Sequence, residues 1–236
     1  MKKDSLGDRM KTYENVTRTK LYRRTPVIIR LDGKAFHTLT KEFDKPFDLG
    51  FINRMRITAS SLFDLIGGNL KMVYVQSDEI SLLLTDWDRF ETQGFYDYNI
   101  QKLVSTTAAQ ATMKFNEGNW RKSGIFDSRA FNIPKEDVCN YFIWRQQDWE
   151  RNSIQMLGQA HFSHKDLHKK SLIDIQDMLH DKGINWNDCD TYLKRGTCLY
   201  NEWLADGEKF LKTDNNIPIF TKDRYFIEQF LEKSDE

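Results

Sequence analysis

"KMVYVQSDEISLLLTD", Lys71–Asp86, sets two apolar runs around a polar break of Ser77, Asp78 and Glu79. Short runs rich in Val, Tyr, Ile and Leu suit β-strands buried in a core, here near 71–76 and 80–85, with the break as a hairpin turn. Burying an unpaired carboxylate is costly. Two adjacent carboxylates at the tip of a core hairpin therefore call for a positive partner, although Ser-Asp-Glu is also ordinary turn chemistry.

Upstream, "TPVIIRLDG" reads as another strand. Pro26 opens it, and Val27, Ile28, Ile29 and Leu31 form a nearly continuous apolar run suited to a central strand covered on both faces. Asp32-Gly33 ends it at a sharp turn. Asp48 then caps a helix in which Phe51, Ile52, Met55, Ala59, Leu62, Phe63 and Ile66 recur every three or four residues, and Gly67-Gly68 stops it. Downstream of the hairpin, a second helix runs from about Asp97, with Ile100, Leu103, Val104, Thr107 and Ala111 on one face, and ends before Gly118. "IFDSRAFNIP" is a fourth strand closed by Pro134, followed by a long helix from roughly Lys135 to Ala160.

The order strand–helix–strand–strand–helix–strand predicts an α+β fold: a ferredoxin-like βαββαβ antiparallel sheet with helices on one face. From residue 161 the pattern turns mainly helical. Ser163 and Ser171 each precede an acid by three residues (Asp166, Asp174), as in a capping box. Gly183 ends that stretch, "RGTCLY" suggests a further strand, and "TKDRYFIEQFLEK" a terminal helix capped by Thr221. The expected division is a core of residues 1–160 and a mainly helical C-terminal subdomain of residues 161–236.

Composition restricts the partners. The 236 residues carry 35 basic and 35 acidic side chains, so no global attraction draws the chain to nucleic acid or an anionic membrane. Any polyanion site must be local. From Met1 to Arg30 there are nine Lys/Arg (Lys2, Lys3, Arg9, Lys11, Arg18, Lys20, Arg23, Arg24, Arg30) against three acids, which fits a solvated N-terminal helix. Three cysteines without CxxC spacing fit free thiols in a reducing cytosol. The polar start and the lack of a membrane-length apolar run point to a cytoplasmic protein with no membrane partner.

In a ferredoxin-like sheet the first strand is central and lies beside the third. Asp32 and the Asp78-Glu79 hairpin can then meet at one sheet edge, where like charges repel and raise one another's pKa. A divalent cation resolves this, since Mg2+ favours one or two carboxylates plus substrate phosphates. The backbone from Gly33 through Lys34, Ala35 and Phe36 to His37 could cradle phosphates, with Lys34 and Arg30 offsetting charge; His37 suits a base or phosphate contact as well as a structural role. Arg145, Asp148 and Asn152 share one helix face by i, i+3, i+7 spacing. His161, His164 and His168 fit a zinc site by spacing, or surface and RNA-contact roles. Trp144 and Trp149 suit the core or a subunit interface.

"RLDGKAFH", "FDKPFD", "QSDEISLLL", "FDSRAF" and "WRQQDWERNSI", in this order, resemble the tRNA-histidine guanylyltransferase family over about Met1 to Leu157. The resemblance implies a polymerase-palm-like catalytic domain that extends tRNA at its 5′ end, in the 3′-to-5′ direction. It implies two Mg2+ ions held by Asp32, Asp78 and the Gly33 carbonyl, with Glu79 as an adjacent essential acid. Gly33–His37 would hold the incoming triphosphate, and Lys45, Asp48 and Ser77 would surround the activating ATP or GTP. Arg30, Lys102, Arg129 and Asn152 would contact triphosphate or the tRNA acceptor stem. A homotetramer is also implied.

Guanylate-adding eukaryotic members carry a "HINNLYN"-like motif after the WRQ block. Here "WERNSIQML" has Glu150 at that histidine's place, and "AHFSHKDLHKK" resembles the guanylyltransferase-like branch, which repairs 5′-truncated tRNAs on a template. Addition of a single guanylate to tRNA-His is the alternative within the family. A nucleotide cyclase would share the palm acids, but no GGDEF-type signature is present. A non-catalytic RNA-binding βαββαβ module needs aromatic central strands, and "VIIRL" offers none.

Overall fold

The computed structural model describes residues 5–118, 121–204 and 207–232. Lys2 and Lys3 of the basic N-terminus lie outside these. The chain opens with α1 (Leu6–Asn15), wholly exposed and started by a Ser5–Asp8 capping box. It continues through β1 (Val27–Gly33), a single turn α2 (Phe36–Leu39), α3 (Leu49–Ile66), β2 (Leu70–Gln76), β3 (Glu79–Leu84), α4 (Ile100–Asn116), β4 (Phe126–Asn132) and α5 (Lys135–His161). After these come α6 (His164–Leu167), α7 (Leu172–His180), α8 (Thr191–Arg195), β5 (Thr197–Trp203), β6 (Lys209–Asp214) and α9 (Tyr225–Glu228).

The six strands form one antiparallel sheet in the order β4-β1-β3-β2-β5-β6. Its first four strands have the ferredoxin-like order expected from the sequence. Strand alternation divides the core. Val27, Ile29 and Leu31 face α3 and α4 together with Leu82, Leu84 and Val73. Ile28, Leu83, Met72 and Tyr74 face the other way, against Val138, Tyr141 and Phe142 of α5. The core helices α3 and α4 thus take one face, and α5 covers the opposite one. At roughly 1.5–3 kcal/mol per buried aliphatic or Phe side chain, these two layers supply most of the drive to fold.

Helix starts follow the expected chemistry. The Asp48 carboxylate accepts from the Phe51 N–H at 2.7 Å, and Gly67 (φ 70°) ends α3. Ser163 and Ser171 form reciprocal capping boxes with Asp166 and Asp174. Two expectations need correction. Helix α4 begins at Ile100 with Asn99 as cap, because Tyr96 and Asp97 adopt left-handed dihedrals. The terminal helical turn begins at Tyr225 after Arg224, so Thr221 caps nothing.

The C-terminal segment does not stand apart from the sheet. Beyond α5, the helical portion packs Ile175 and Leu179 of α7 on Ile154 and Leu157, as a small separate cluster. Strands β5 and β6 then return to extend the palm sheet beside β2. The basic N-terminus is partly neutralised internally: Lys20 pairs with Asp97, while fully buried Asp86 takes Arg23 Nε at 3.0 Å and the Arg24 N–H at 2.8 Å. Among the described residues, no helix is long and apolar enough to cross a membrane.

Candidate active site

The strand registers turn the α5-facing side of the sheet into three cross-strand rows. Phe131, Ile28, Leu83 and Met72 form an apolar row beneath the start of α5. Next come Arg129, Arg30, Ser81 and Tyr74, and at the sheet edge Asp127, Asp32, Glu79 and Gln76. Polarity therefore rises toward one edge, where α5 leaves the sheet. From Arg145 to His161, α5 overhangs that edge by about 24 Å at 1.5 Å per residue. The overhang forms one wall of a cleft, with the acidic row as its floor.

Glu79 answers the question posed by the hairpin. It is 7% exposed, and its Oε1 accepts from Arg145 Nε at 2.7 Å, Gln76 Nε2 at 3.2 Å and Ser81 Oγ at 3.3 Å. Arg145 also donates to Asp148 Oδ2 at 2.8 Å. The positive partner of the hairpin acids is thus in part a protein side chain. Arg145 and Asp148 use the i, i+3 face read from the sequence, and Asn152 continues it along the cleft wall.

Asp78 and Asp32 are arranged differently. The Gly33 N–H donates to the Asp78 carbonyl at 3.1 Å, which ties the end of β1 to the hairpin tip. Both carboxylates open into the cleft, whose two adjoining cavities measure about 360 and 520 Å3 and share Asp32, Ser77, Asp78, Met156 and Gln159. That size suits a nucleotide-scale ligand. Burial, with Asp32 as a neighbouring negative charge, pushes the Asp78 carboxyl up to about 6. The fold therefore holds this group ionised at neutral pH only at a cost.

Among the described residues, no group of three or more His, Cys, Asp or Glu is placed to hold a metal ion, the three histidines near α6 included. Two carboxylates with an adjacent backbone carbonyl are nonetheless a donor set that magnesium takes when substrate phosphates complete its shell. The raised Asp78 supplies the matching physical sign, a carboxylate whose buried charge the hydrogen bonds from Ser77 and its own N–H do not fully offset. Glu79 is instead held by Arg145.

The segment from Gly33 to Asp48 forms the opposite wall. A Cβ on Gly33 would lie 2.4 Å from the Phe36 ring, so only glycine lets the chain fold back there. Ala35 (φ 57°) and Ser77 (φ 46°) are both left-handed non-glycine residues on this cleft, a strain that clusters at functional sites. His37 and Lys45 line the same cavity. Lys34 is exposed beside it, with its N–H donating to the Ile125 carbonyl at 2.8 Å. Asp48 reaches the wall with its oxygens already engaged by the Phe51 and Asp44 amides and by Arg121 Nη1 at 2.6 Å. Burial works against its charge, but these partners hold its carboxyl below the usual range.

Most of the sequence-predicted residues converge: Asp32, Gly33, Ala35, Phe36, His37, Lys45, Asp48, Ser77, Asp78, Glu79 and Asn152 line the two cavities. Arg30 and Arg129 lie one row behind Asp32 as register partners, and the buried Arg30 Nε has no partner among the described residues. Lys102 does not join them. It sits in the first turn of α4, over the Tyr96 ring, whereas the other end of that helix abuts β4 beside Gly33. Sequence reasoning missed Asp127, Arg121 and the Glu79 partnership of Arg145. Period-two alternation in "FDSRAF" places Asp127 and Arg129 on one strand face and could have found the first. No sequence signal pairs Arg121 with Asp48.

Comparison with known proteins bears on this geometry. The profile of the family described as tRNAHis guanylyltransferase matches residues 7–134. A bacterial tRNA(His) guanylyltransferase-like protein solved in complex with ATP is 44% identical, with a TM-score of 0.91 over 98% of this chain and 100% of the other. Such a protein in complex with GTP is also 44% identical and gives 0.86 over 97% and 99%. The tRNA(His) guanylyltransferase of Schizosaccharomyces pombe is 29% identical over 232 residues, 85% of this chain and 84% of the relative.

Proposed function

The chain belongs to the tRNAHis guanylyltransferase family, and from that premise we propose that it is a nucleotidyltransferase adding nucleotides to the 5′ end of tRNA, in the 3′-to-5′ direction, with truncated 5′ ends as its main substrate. The observation that carries this reading is the meeting of Asp32 and Asp78 at one edge of a palm-like sheet, with the Gly33–Lys45 wall beside them. Higher identity to the guanylyltransferase-like protein than to the fungal guanylyltransferase supports the repair branch. Single guanylate addition to tRNA-His is the less favoured variant.

Asp32, Asp78 and the Gly33 carbonyl would hold magnesium, which when bound offsets charge on the attacking and leaving oxygens of an in-line displacement. The chain's own part is to bind and align. Gly33–His37 follow the β1 end and would seat the incoming triphosphate, with Lys34 and Lys45 neutralising phosphate charge. Lys45, Asp48 and Ser77 would surround the activating ATP or GTP. Arg30, with its unpartnered buried Nε, and Arg129 beside it form a cationic row behind the acids, suited to a second phosphate group. Asn152 on the overhanging wall and Lys102 outside the cleft would contact the tRNA.

Two transfers of the same kind then follow. A 5′-monophosphate oxygen attacks the α-phosphorus of ATP and releases pyrophosphate. The 3′-hydroxyl of an incoming nucleoside triphosphate next attacks the activated 5′ phosphorus and releases AMP, its proton leaving with the solvent. A 5′-triphosphate end needs only the second transfer, with pyrophosphate as leaving group. The opposite strand of the acceptor stem selects the base, so the cleft needs no base-specific pocket for repair.

A non-catalytic RNA-binding sheet is disfavoured because α5 and the α3–α4 layer cover both faces of β1 and β3. The expected homotetramer is proposed on the family resemblance, and the exposed Leu6, Met10 and Tyr13 of α1 offer an apolar stripe for it to cover. A reducing cytoplasmic setting fits Cys139, Cys189 and Cys198, which are all unbridged. The test compares full-length and 5′-truncated tRNAs with labelled nucleoside triphosphates, using wild type, Asp32→Asn and Asp78→Asn. Preferential filling of the truncated end by wild type, lost in both variants, supports the reading. Guanylate addition confined to intact tRNA-His reverses the branch, and cyclic nucleotide formed without RNA replaces the activity altogether.

A further inference from the structure

The cleft does not end at the acids. Gln155 and Gln159 on the overhanging half of α5 also line a neighbouring basin of about 570 Å3, whose outer wall carries His164, His168, Lys169 and Lys170. Among the described residues, no carboxylate lines this basin. The nearest acids in sequence, Asp166 and Asp174, are committed to the Ser163 and Ser171 capping boxes. Lys169 takes a left-handed conformation (φ 60°), which turns the chain between α6 and α7 and brings the Lys169-Lys170 pair to the same wall as the two histidines.

The geometry points to this basin as a seat for the sugar-phosphate backbone of the RNA whose 5′ end lies at Asp32 and Asp78, and the inference rests on the proposed function. Four exposed nitrogen-bearing side chains with two carboxamides match phosphate oxygens and 2′-hydroxyls. A base is a poor match. Phe162 brings a phenyl ring to the lining, but Lys182 Nζ sits over it, 4.2 Å from the centroid, and His164 and His168 present imidazole nitrogens suited to phosphate oxygens. A free triphosphate already has the Gly33–Lys45 wall available.

Continuity also favours a continuing strand over a second small ligand. Gln155 and Gln159 line both the acid cleft and the basin, so a strand leaving the acids runs into the basin without a gap. The basin would thus grip the acceptor stem close to the end being extended. It would hold any RNA of that shape without reading its sequence.

The test measures binding of a fluorescently labelled, 5′-truncated tRNA between about 50 and 200 mM salt. It uses wild type, Lys169→Ala/Lys170→Ala, His164→Ala/His168→Ala and the charge-conserving Lys169→Arg/Lys170→Arg, with ATP affinity measured on each. The lysine-to-alanine pair should weaken RNA binding about tenfold at the low-salt end and flatten the slope of log K against log salt by about 1–2, as expected for one or two lost phosphate contacts. The arginine pair should bind as wild type does, and ATP affinity should not move. Wild-type RNA affinity and slope in both alanine pairs would overturn the basin while leaving the proposed function standing. A wild-type protein that binds ATP but no tRNA would remove that function and the basin with it.

Discussion

Replacing Asp78 with asparagine should make the metal-free protein more stable while abolishing its activity. The carboxyl of Asp78 sits at about 6 against an ordinary 3.8, through burial and the charge of Asp32. Between roughly pH 4 and 6 the folded protein therefore keeps a proton that the unfolded chain has released. Stability must fall as pH rises through that window. At about 1.4 kcal/mol per pH unit, the ionised group costs up to about 3 kcal/mol at pH 7.5. The near-isosteric amide removes that charge, but it also loses hydrogen bonds that favour the anion, from Ser77 and the residue's own N–H. A net gain of about 1–3 kcal/mol remains, or roughly 3–10 °C in Tm for a chain of this size. Thermal melts in EDTA at pH 4, 5, 6 and 7.5 read it directly. The variant should melt above wild type at pH 7.5 and with it at pH 4, where both side chains are neutral. An equal difference at both pH values, or a less stable variant at pH 7.5, would refute the electrostatic reasoning.

Other perturbations separate the roles of neighbouring groups. Arg145→Ala strands Glu79 in a buried site and should cost about 3–5 kcal/mol in urea unfolding, whereas Glu79→Gln together with Arg145→Gln should recover most of it; equal losses in both would contradict the pairing. Gly33→Ala drives a Cβ into the Phe36 ring and should cost about 1–3 kcal/mol and weaken ATP binding. Phe36→Leu in the same chain should restore part of both, and no rescue would mean the ring is not the obstacle. Lys45→Ala should slow addition to 5′-monophosphorylated tRNA more than to 5′-triphosphorylated tRNA, and equal slowing would count against a role in activation.

Much of the fold was legible because its signals are local. Val27–Leu31 and the runs around the hairpin are nearly continuous apolar stretches, and Asp48, Gly67, Ser163 and Ser171 mark helix ends through side-chain chemistry that neighbouring residues reveal. The terminal helix was overextended because "TKDRYFIEQFLEK" has a suitable cap and period, while tertiary contacts of Phe226, Phe230 and Leu231 with the sheet set its real course. The acids at the sheet edge were found by topology alone, since placing strand one beside strand three brings Asp32 to the hairpin. The division of labour within the hairpin was not legible. Asp78 and Glu79 are adjacent and chemically similar, yet strand alternation and a guanidinium 66 residues away bury Glu79 in an ion pair and leave Asp78 facing the cleft. Pairing over such separations, as for Arg121 with Asp48, leaves no periodic trace in a single sequence.

The central claim is that Asp32 and Asp78 jointly hold the metal that serves 5′-end addition. Crystals grown with a non-hydrolysable ATP analogue and Mn2+ in place of magnesium would test it most directly through the metal's anomalous signal. The account predicts metal density with oxygens of Asp32, Asp78 and the nucleotide phosphates at about 2.1 Å, and with Glu79 still bound to Arg145. Metal density that avoids either aspartate, or that recruits Glu79 away from Arg145, would contradict it.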